Sequence, residues 1–526
     1  MKKMLLKPQE IIAKTLRYFK NNPYLLFLII FVVAARSPVL SDRLIPFQFD
    51  HGKDAIGTFH MWQTLSPKLI GPWTSIPGLF FGPAWYYMLL PGMFFTTGDP
   101  VASVITMLVI GLLTVVITYR YFGPTTATLL ATSSLFYTIT TSAWNPFPMV
   151  GVSIVLLAVL KHVEKAKKIT GATAALLGFF SALGFHFSTA FAIFYPILII
   201  LSILFKKIRF SSKIVVTALI AFIIPFIPQI LFEITHNFIE VKGVIAYLQH
   251  GDSDPASLNK FQNVLHVTWG ELQSIILPPS YFDSPLLNQI FFFGFALLLV
   301  LGLVFYLRRP KKQHFPLSKD AAIWFTLPLL AFTFLHFNLW YVLPLAAFTF
   351  IILGALLDQT NALVRRAFLV LCFIAAITKV VFYIQTDRDS LLAGTTFLPL
   401  KEQAVEYIYE QAAGKPFASY QYMPDIYDYP YQYLYFTSAL HGKMLPTEFS
   451  YKPGETAYIP EKAELLQKFS EMQINQSPEI IFFIVEDSDN TNLLESWWSQ
   501  QKYGEIVDEQ DISDVLTVYT ATPATN

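Results

Sequence analysis

Residues 23–40 read PYLLFLIIFVVAARSPVL, eighteen positions whose one charge is Arg36. A helix needs about 20 mostly apolar residues to cross a hydrocarbon core of about 30 Å, so this stretch has the length and character of a membrane span. Similar runs recur at 79–97, 101–119, 124–142, 146–161, 169–187, 188–205, 214–235, 286–307, 319–336, 339–357 and 366–384. Backbone polar groups inside a bilayer must pair within their own segment, and none of these runs alternates apolar and polar residues as a membrane barrel strand does. The expected fold is therefore a polytopic α-helical membrane protein of about 11–13 transmembrane helices.

Composition agrees and excludes other classes. The 526 residues are 54% hydrophobic and 14% charged, with a formal net charge of +1. There is no basic face to neutralise a phosphate backbone, so a nucleic-acid partner is not expected. The one cysteine, Cys372, lies in the last apolar run, which rules out an intramolecular disulfide. The first apolar run is long, follows polar and basic residues and lacks a small-residue cleavage site, so it reads as an uncleaved helix.

Charge placement sets the expected orientation. Lysines and arginines cluster at Lys2, Lys3, Lys7, Lys14, Arg17 and Lys20, at 161–168, at 206–213, at 308–312 and at Arg365-Arg366. The positive-inside rule makes these cytoplasmic and residues 41–78, 236–285 and 385–526 external. Residues 1–22 then form a cytoplasmic N-terminus, 23–384 the transmembrane domain, and 385–526 an extracytoplasmic domain of a multi-pass cell-membrane protein. A cytoplasmic start and an external end demand an odd number of crossings, whereas the runs above are even in number. The discrepancy falls between residues 79 and 161, where Pro83, Pro91, Pro124, Pro146 and Pro148 favour a split or partly inserted segment.

Beyond residue 385 the sequence turns soluble in character, rich in Tyr, Glu, Gln and Asp. Leu400–Ala413 reads as an amphipathic helix ended at Gly414, Ile480–Val485 as a buried strand, Asn490–Gln500 as a helix and Val515–Thr520 as an edge strand, which together make a small α/β domain. The aromatic run Tyr420, Tyr427, Tyr429, Tyr431, Tyr433 and Tyr435 suits sugar stacking, and equally an interfacial belt or a packing surface.

Just beyond the first span stands Asp50-His51-Gly52-Lys53-Asp54-Ala55, two carboxylates, an imidazole and an amine in a chain poor in charge. A carboxylate at the external membrane surface can join a lipid-borne group to a water-borne one. Sugar transfer from a polyprenyl phosphate needs one base for the acceptor proton and charge stabilisation for the phosphate, without the second carboxyl of glycoside hydrolysis. Asp50 is the candidate catalytic residue. Lys53 and His51 are candidates for phosphate or acceptor binding or are solvated loop groups. Gly52 weakens helix here, so Asp54 is expected to cap an amphipathic segment 55–65 whose Ile56, Phe59, Met61, Trp62 and Leu65 lie on the membrane surface, and to belong to the site or merely flank it.

Other polar residues stand at the expected external ends of spans: Asn145 in Trp144-Asn145-Pro146, His186, Glu233, His236, and His336 beside Asn338. Polar groups near membrane depth are functional candidates because burying them unpaired is costly, although each sits close enough to a span end to be hydrated. No pair has metal-ligand spacing, so a divalent metal could be held only by ligands from separate loops, and no cofactor is established. Neither a Walker pattern nor a dinucleotide fingerprint is present.

The hexapeptide resembles the Asp-Glu-x-Arg-Tyr-Ala motif in the first external loop of GT-C membrane glycosyltransferases of the protein-mannosyltransferase and aminoarabinose-transferase type. Asp50 and Ala55 are identical, with His51 for Glu, Lys53 for Arg and Asp54 for Tyr. Gly82-Pro83-Ala84-Trp85-Tyr86-Tyr87 is similar to the family's Lys-Pro-Pro-x-x-Tyr-Trp motif opening the second helix, but the lysine has no counterpart. Trp340-Tyr341-Val342-Leu343-Pro344 is similar to its late Tyr-Leu-Leu-Pro segment, which adds Tyr341 to the candidates. The resemblance implies a GT-C-like fold with a small extracytoplasmic α/β domain. It also implies an inverting transferase that moves a sugar from a polyprenyl-phosphate donor to an external lipid, glycan or protein hydroxyl. The rivals are a secondary transporter or lipid flippase, for which mid-span charge and internal repeats are scarce, and a non-catalytic membrane scaffold.

Overall fold

The computed structural model describes residues 14, 17–74, 76–250, 257–276, 284–290, 293–294, 297, 301, 304, 317–424, 427–455 and 458–524. The expected span 286–307 and the basic residues of 1–13 and 308–312 lie largely outside them. Every other expected span falls on helix. In chain order the helices are α1 Pro23–Ser41, α2 Phe49–Thr64, α3 Ala84–Phe95, α4 Ala102–Phe122, α5 Pro124–Thr132, α6 Ser134–Thr141, α7 Pro148–Ala166 and α8 Gly171–Phe187. They continue as α9 Thr189–Ala192, α10 Phe194–Phe205, α11 Ser212–Ile223, α12 Ile227–Thr235, α13 Ile239–His250 and α14 Leu258–Ile276. The last of this part are α15 Leu317–Ala331, α16 Leu345–Gln359 and α17 Ala362–Phe382.

Among the described residues, five stretches are long and apolar enough to cross a bilayer unaided: Pro23–Ser41, Ala102–Phe122, Ser212–Thr235, Leu339–Gln359 and Ala362–Gln385. The chain is a multi-pass membrane protein. Run 124–142 breaks at Ser133, whose extended backbone separates α5 from α6 while its side chain caps α6 by accepting from the Phe136 amide at 3.3 Å. This break lies in the interval where the charge pattern requires an irregular segment.

The C-terminal part begins with α18 Arg388–Leu392 and α19 Leu398–Ala412. It continues with β1 Phe417–Tyr422, α20 Tyr429–Leu440, β2 Glu448–Ser450, α21 Lys462–Lys468, β3 Ile480–Glu486, α22 Thr491–Trp498, β4 Ile506–Ser513 and β5 Leu516–Ala521. The strands form one sheet in the order β2-β1-β3-β5-β4, parallel from β2 to β3 and antiparallel from β3 to β4. α19 ends as expected, with Ala413 and Gly414 both at positive φ. Val515–Thr520 is not an edge strand, because β4 pairs outside it. Sequence reading missed β4 because Ile-Val-Asp-Glu-Gln-Asp-Ile-Ser is acidic and mostly exposed and so carries no hydrophobic signal.

The tyrosine run turns inward. Tyr431, Tyr433 and Tyr435 are fully buried, and the Tyr433 hydroxyl donates 2.7 Å to the Gly98 carbonyl of the membrane part. These rings are a packing surface. Around them, Arg43 binds Glu402 through two bonds of 2.9 and 2.6 Å and Asp99 at 2.8 Å, and the Leu398 amide donates to the Ile45 carbonyl at 3.0 Å.

α2 corrects the expected capping. Its helix starts at Phe49 and runs straight through Gly52, so Asp54 lies mid-helix and caps nothing. His51 does part of the capping: its Nδ1 accepts from the Gln48 amide at 3.4 Å. Ile56, Phe59 and Met61 are buried rather than lying on a membrane surface, with the Phe59 ring 5.7 Å from Tyr433 and 6.0 Å from Phe469; only Leu65 is well exposed. α2 is thus sandwiched between the membrane helices and the C-terminal part, which aims its first turn at the seam between them.

Candidate functional site

The first turn of α2 carries Asp50, and one turn on, Lys53 folds back so that its Nζ donates to Asp50 Oδ1 at 2.7 Å. The other carboxylate oxygen, Oδ2, accepts from the Trp144 indole at 3.3 Å. Asp50 still has 44% of its side chain exposed, so both bonds orient it without sealing it. The Lys53 ammonium lies 4.9 Å from the Phe49 ring centroid and 6.0 Å from that of Trp73, an aromatic setting that favours a cation.

Asp50 stands where two cavities share a wall. The larger, about 630 Å³, is lined mainly by apolar and aromatic side chains and includes Lys53, Asn145, His336 and Tyr341. The smaller, about 530 Å³, is edged by Gln48, His51, Ser142 and Thr396. Phe49, Asp50 and Trp144 border both. Trp144 packs edge-on against Trp340 at 5.4 Å between ring centroids, which fixes the indole that steers Asp50.

The remaining candidates separate. Since His51 Nδ1 accepts from a backbone amide, its Nε2 carries the proton and donates to Ser142 at 3.1 Å. Burial holds its pKa down at about 4, the Asp50 charge opposing and Lys53 assisting, so it is neutral at physiological pH. Asn145 donates to the Phe187 carbonyl at 2.9 Å and ties two turns at the cavity wall. His336 is exposed, with its ring 6.3 Å from Tyr341.

Four candidates do not line either cavity. His186 is fully buried and its Nδ1 accepts from the Ala84 amide at 3.3 Å. Glu233 accepts from the amides of Glu240 and Val241 at 2.9 and 3.1 Å, capping the start of α13. His236 is exposed and stacks on Phe232 at 4.0 Å. Asp54, 3% exposed, accepts from Trp85 at 2.6 Å through Oδ2, while its Oδ1 has no hydrogen-bond partner among the described residues. No three metal-ligating side chains converge among the described residues.

Burial, reinforced by the charge of Asp50 against the opposing pull of Lys53 and Trp85, pushes Asp54 up to about 7 from 3.8. The folded state therefore holds a proton the unfolded chain releases. The associated stability is fully present below about pH 4 and is lost as pH rises through about 7. Asp54→Asn removes this dependence, so its melting temperature relative to wild type should rise between pH 5 and pH 8, measured in detergent. A constant difference across that range would refute the assignment.

The lysine missing from Gly82-Pro83-Ala84 has a steric explanation. A Cβ placed on Gly82 would lie 1.9 Å from His186 Nδ1, so no side chain fits there while His186 holds the loop. Sequence reading also missed Trp144, Trp340 and Thr396 as site-forming residues. Tryptophans beside a proline or in a late apolar run were visible, but nothing local signals that they meet Asp50.

No family model matches the chain, and none of the curated proteins matches it. Solved structures do. The crystal structure of ArnT from Cupriavidus metallidurans bound to undecaprenyl phosphate superposes over 94% of this chain and 97% of its own, with a TM-score of 0.57 and 12% identity. The chain has the GT-C fold. The apo form of the same ArnT matches with a TM-score of 0.56 and 11% identity, again over 94% and 97% of the two chains. The oligosaccharyltransferase of Archaeoglobus fulgidus, in the apo form, is a further match at 12% identity and a TM-score of 0.42, covering 88% of this chain and 69% of that one. Near-complete coverage of both chains means that the GT-C fold extends through the C-terminal part and is not confined to the membrane helices.

Proposed function

We propose that this GT-C chain is an inverting glycosyltransferase that moves a sugar from a polyprenyl-phosphate donor to an extracytoplasmic lipid, glycan or protein hydroxyl. The observation that carries the reading is the position of Asp50 on the wall between a large apolar cavity and a smaller one with polar edges. The donor's lipid and phosphate occupy the larger, with Lys53 offering the phosphate a charge-assisted hydrogen bond. The acceptor hydroxyl approaches from the smaller. Asp50 takes its proton as the oxygen attacks the anomeric carbon, and the sugar–phosphate bond breaks with its electron pair leaving on the phosphate. One displacement from one face inverts the anomeric centre. The ArnT structure with undecaprenyl phosphate supports a polyprenyl phosphate as the lipid.

The test is transfer of radiolabelled sugar from a panel of polyprenyl-phosphate sugars by the full-length protein reconstituted in liposomes. Label should move to an acceptor in the external phase. Label that crosses the bilayer without changing carrier would instead identify a transporter. Lys53→Gln should raise the donor KM about tenfold, the worth of one charge-assisted hydrogen bond. An unchanged donor KM would remove Lys53 from phosphate recognition.

A further inference from the structure

Between α2 and α3 the chain folds into a hairpin with arms 71–74 and 79–81. The Gly71 amide donates to the Phe81 carbonyl at 2.7 Å, the Phe81 amide to the Pro72 carbonyl at 2.9 Å and the Thr74 amide to the Leu79 carbonyl at 3.1 Å. Leu79 and Phe81 line the larger cavity, while Phe80 between them packs edge-on against Phe232 of α12, with ring centroids 5.7 Å apart. Trp73, from the other arm, also lines the cavity, and its ring centroid is 6.0 Å from the Lys53 ammonium.

The hairpin is held from behind. Glu240, 6% exposed in the first turn of α13, accepts from the Phe80 amide at 3.0 Å. Both of its carboxylate oxygens accept from the Gln229 side-chain amide of α12 at 2.9 Å, and that amide also donates to the Phe80 carbonyl at 3.4 Å. A buried carboxylate is costly unless its oxygens are satisfied, and the donors that satisfy this one tie the hairpin to two helices. At the tip, Gly243 of α13 comes so close that an added Cβ would lie 3.1 Å from the Pro77 carbonyl oxygen. Tyr247 of α13 lines the cavity, whereas Val241 and Ile245 are exposed apolar side chains, as are Ile230 and Ile234 on the membrane helix α12. The hairpin and α13 therefore stand between the lipid-facing surface and the cavity.

We propose that Glu240 is a positioning residue for the lipid-linked donor. It latches the hairpin to α12 and α13, and the latched hairpin is the wall that holds the donor's phosphate and the first units of its chain beside Lys53. This rests on the reading that the larger cavity takes the polyprenyl-phosphate donor. Glu240 acts through Trp73 and Phe81, which line that cavity, and does not line it itself. The latch joins residues 160 apart in sequence, so nothing near the hairpin announces it.

The experiment is amide hydrogen exchange of the full-length protein in detergent, with and without undecaprenyl phosphate, paired with the liposome transfer assay. In wild type the lipid should slow exchange across residues 71–81. Glu240→Ala should speed exchange there, abolish the slowing by lipid and raise donor KM about tenfold, the worth of one hydrogen bond to a charged group, while kcat and acceptor KM stay at wild-type values. Glu240→Gln keeps an oxygen that accepts from the Phe80 amide and should retain wild-type behaviour. Gly243→Val wedges the tip off α13 without touching the carboxylate and should behave as Glu240→Ala does, so the outcome does not depend on one variant folding. Exchange across 71–81 that is the same in wild type and both latch-breaking variants would overturn the latch. Exchange that undecaprenyl phosphate leaves unchanged in wild type would overturn its role in donor binding, and equal losses in donor and acceptor KM would reduce Glu240 to a general structural group. Slowing by undecaprenyl phosphate in a wild-type protein that transfers no sugar would sink the transferase reading while the latch stands.

Discussion

Asp50→Asn will lower the turnover of sugar transfer by about 10²–10⁴-fold, the usual contribution of a positioned general base, with little change in donor KM. Asparagine keeps the size of the side chain and can still accept from Lys53, so the cavity wall stays in place. What disappears is the capacity to take the acceptor proton. The geometry makes the comparison clean, because Asp50 touches Lys53 and Trp144 at the mouth of the cavities and is not a structural group of the core. The measurement is kcat and donor KM in the liposome assay at matched amounts of folded protein. Undiminished turnover would take Asp50 out of the mechanism, and a loss confined to KM would make it a binding group.

Gly52→Ala should destabilise the protein even though it improves the helix. In an exposed helix this exchange is worth up to about 1 kcal/mol in favour of alanine. Here an added Cβ would lie 2.4 Å from the Pro430 nitrogen and 2.7 Å from the Tyr429 carbonyl carbon, both backbone atoms of α20 that cannot rotate aside. Overpacking of this kind typically costs about 1–3 kcal/mol, and here it pushes apart the two parts that aim Asp50. The expected result is a melting temperature several degrees lower, together with reduced transfer, because Asp50 and Lys53 flank the glycine. A higher melting temperature would show that helix propensity governs this position and that the contact between α2 and α20 yields easily.

The two predictions test different layers of the molecule. The first concerns one carboxylate and would hold on any scaffold presenting it to the same cavities. The second concerns how that carboxylate is held, through a helix-to-helix approach that only glycine permits.

The sequence by itself determined the membrane helices, because long apolar runs have few other ways to satisfy their backbone. It also showed the change to a polar, tyrosine-rich composition beyond residue 385 and the singular charge density of residues 50–55. Periodicity was enough for β3 and α19, whose patterns are strong, and failed for β4, whose residues face solvent. Only the tertiary structure decided that Gly52 sits inside a helix and not at a break, since the deciding atoms belong to Pro430 and Tyr429, far along the chain. It alone separated Lys53, Asn145, His336 and Tyr341, which share a cavity with Asp50, from Glu233, His236, His186 and Asp54, which cap, stack or lie buried. Polar or ionisable side chains stand in both groups, histidine in each, and neighbours in sequence such as Lys53 and Asp54 fall on opposite sides of the division. What distinguished them is the direction in which each side chain leaves its helix and what packs against it, and that is fixed by contacts between segments distant in sequence.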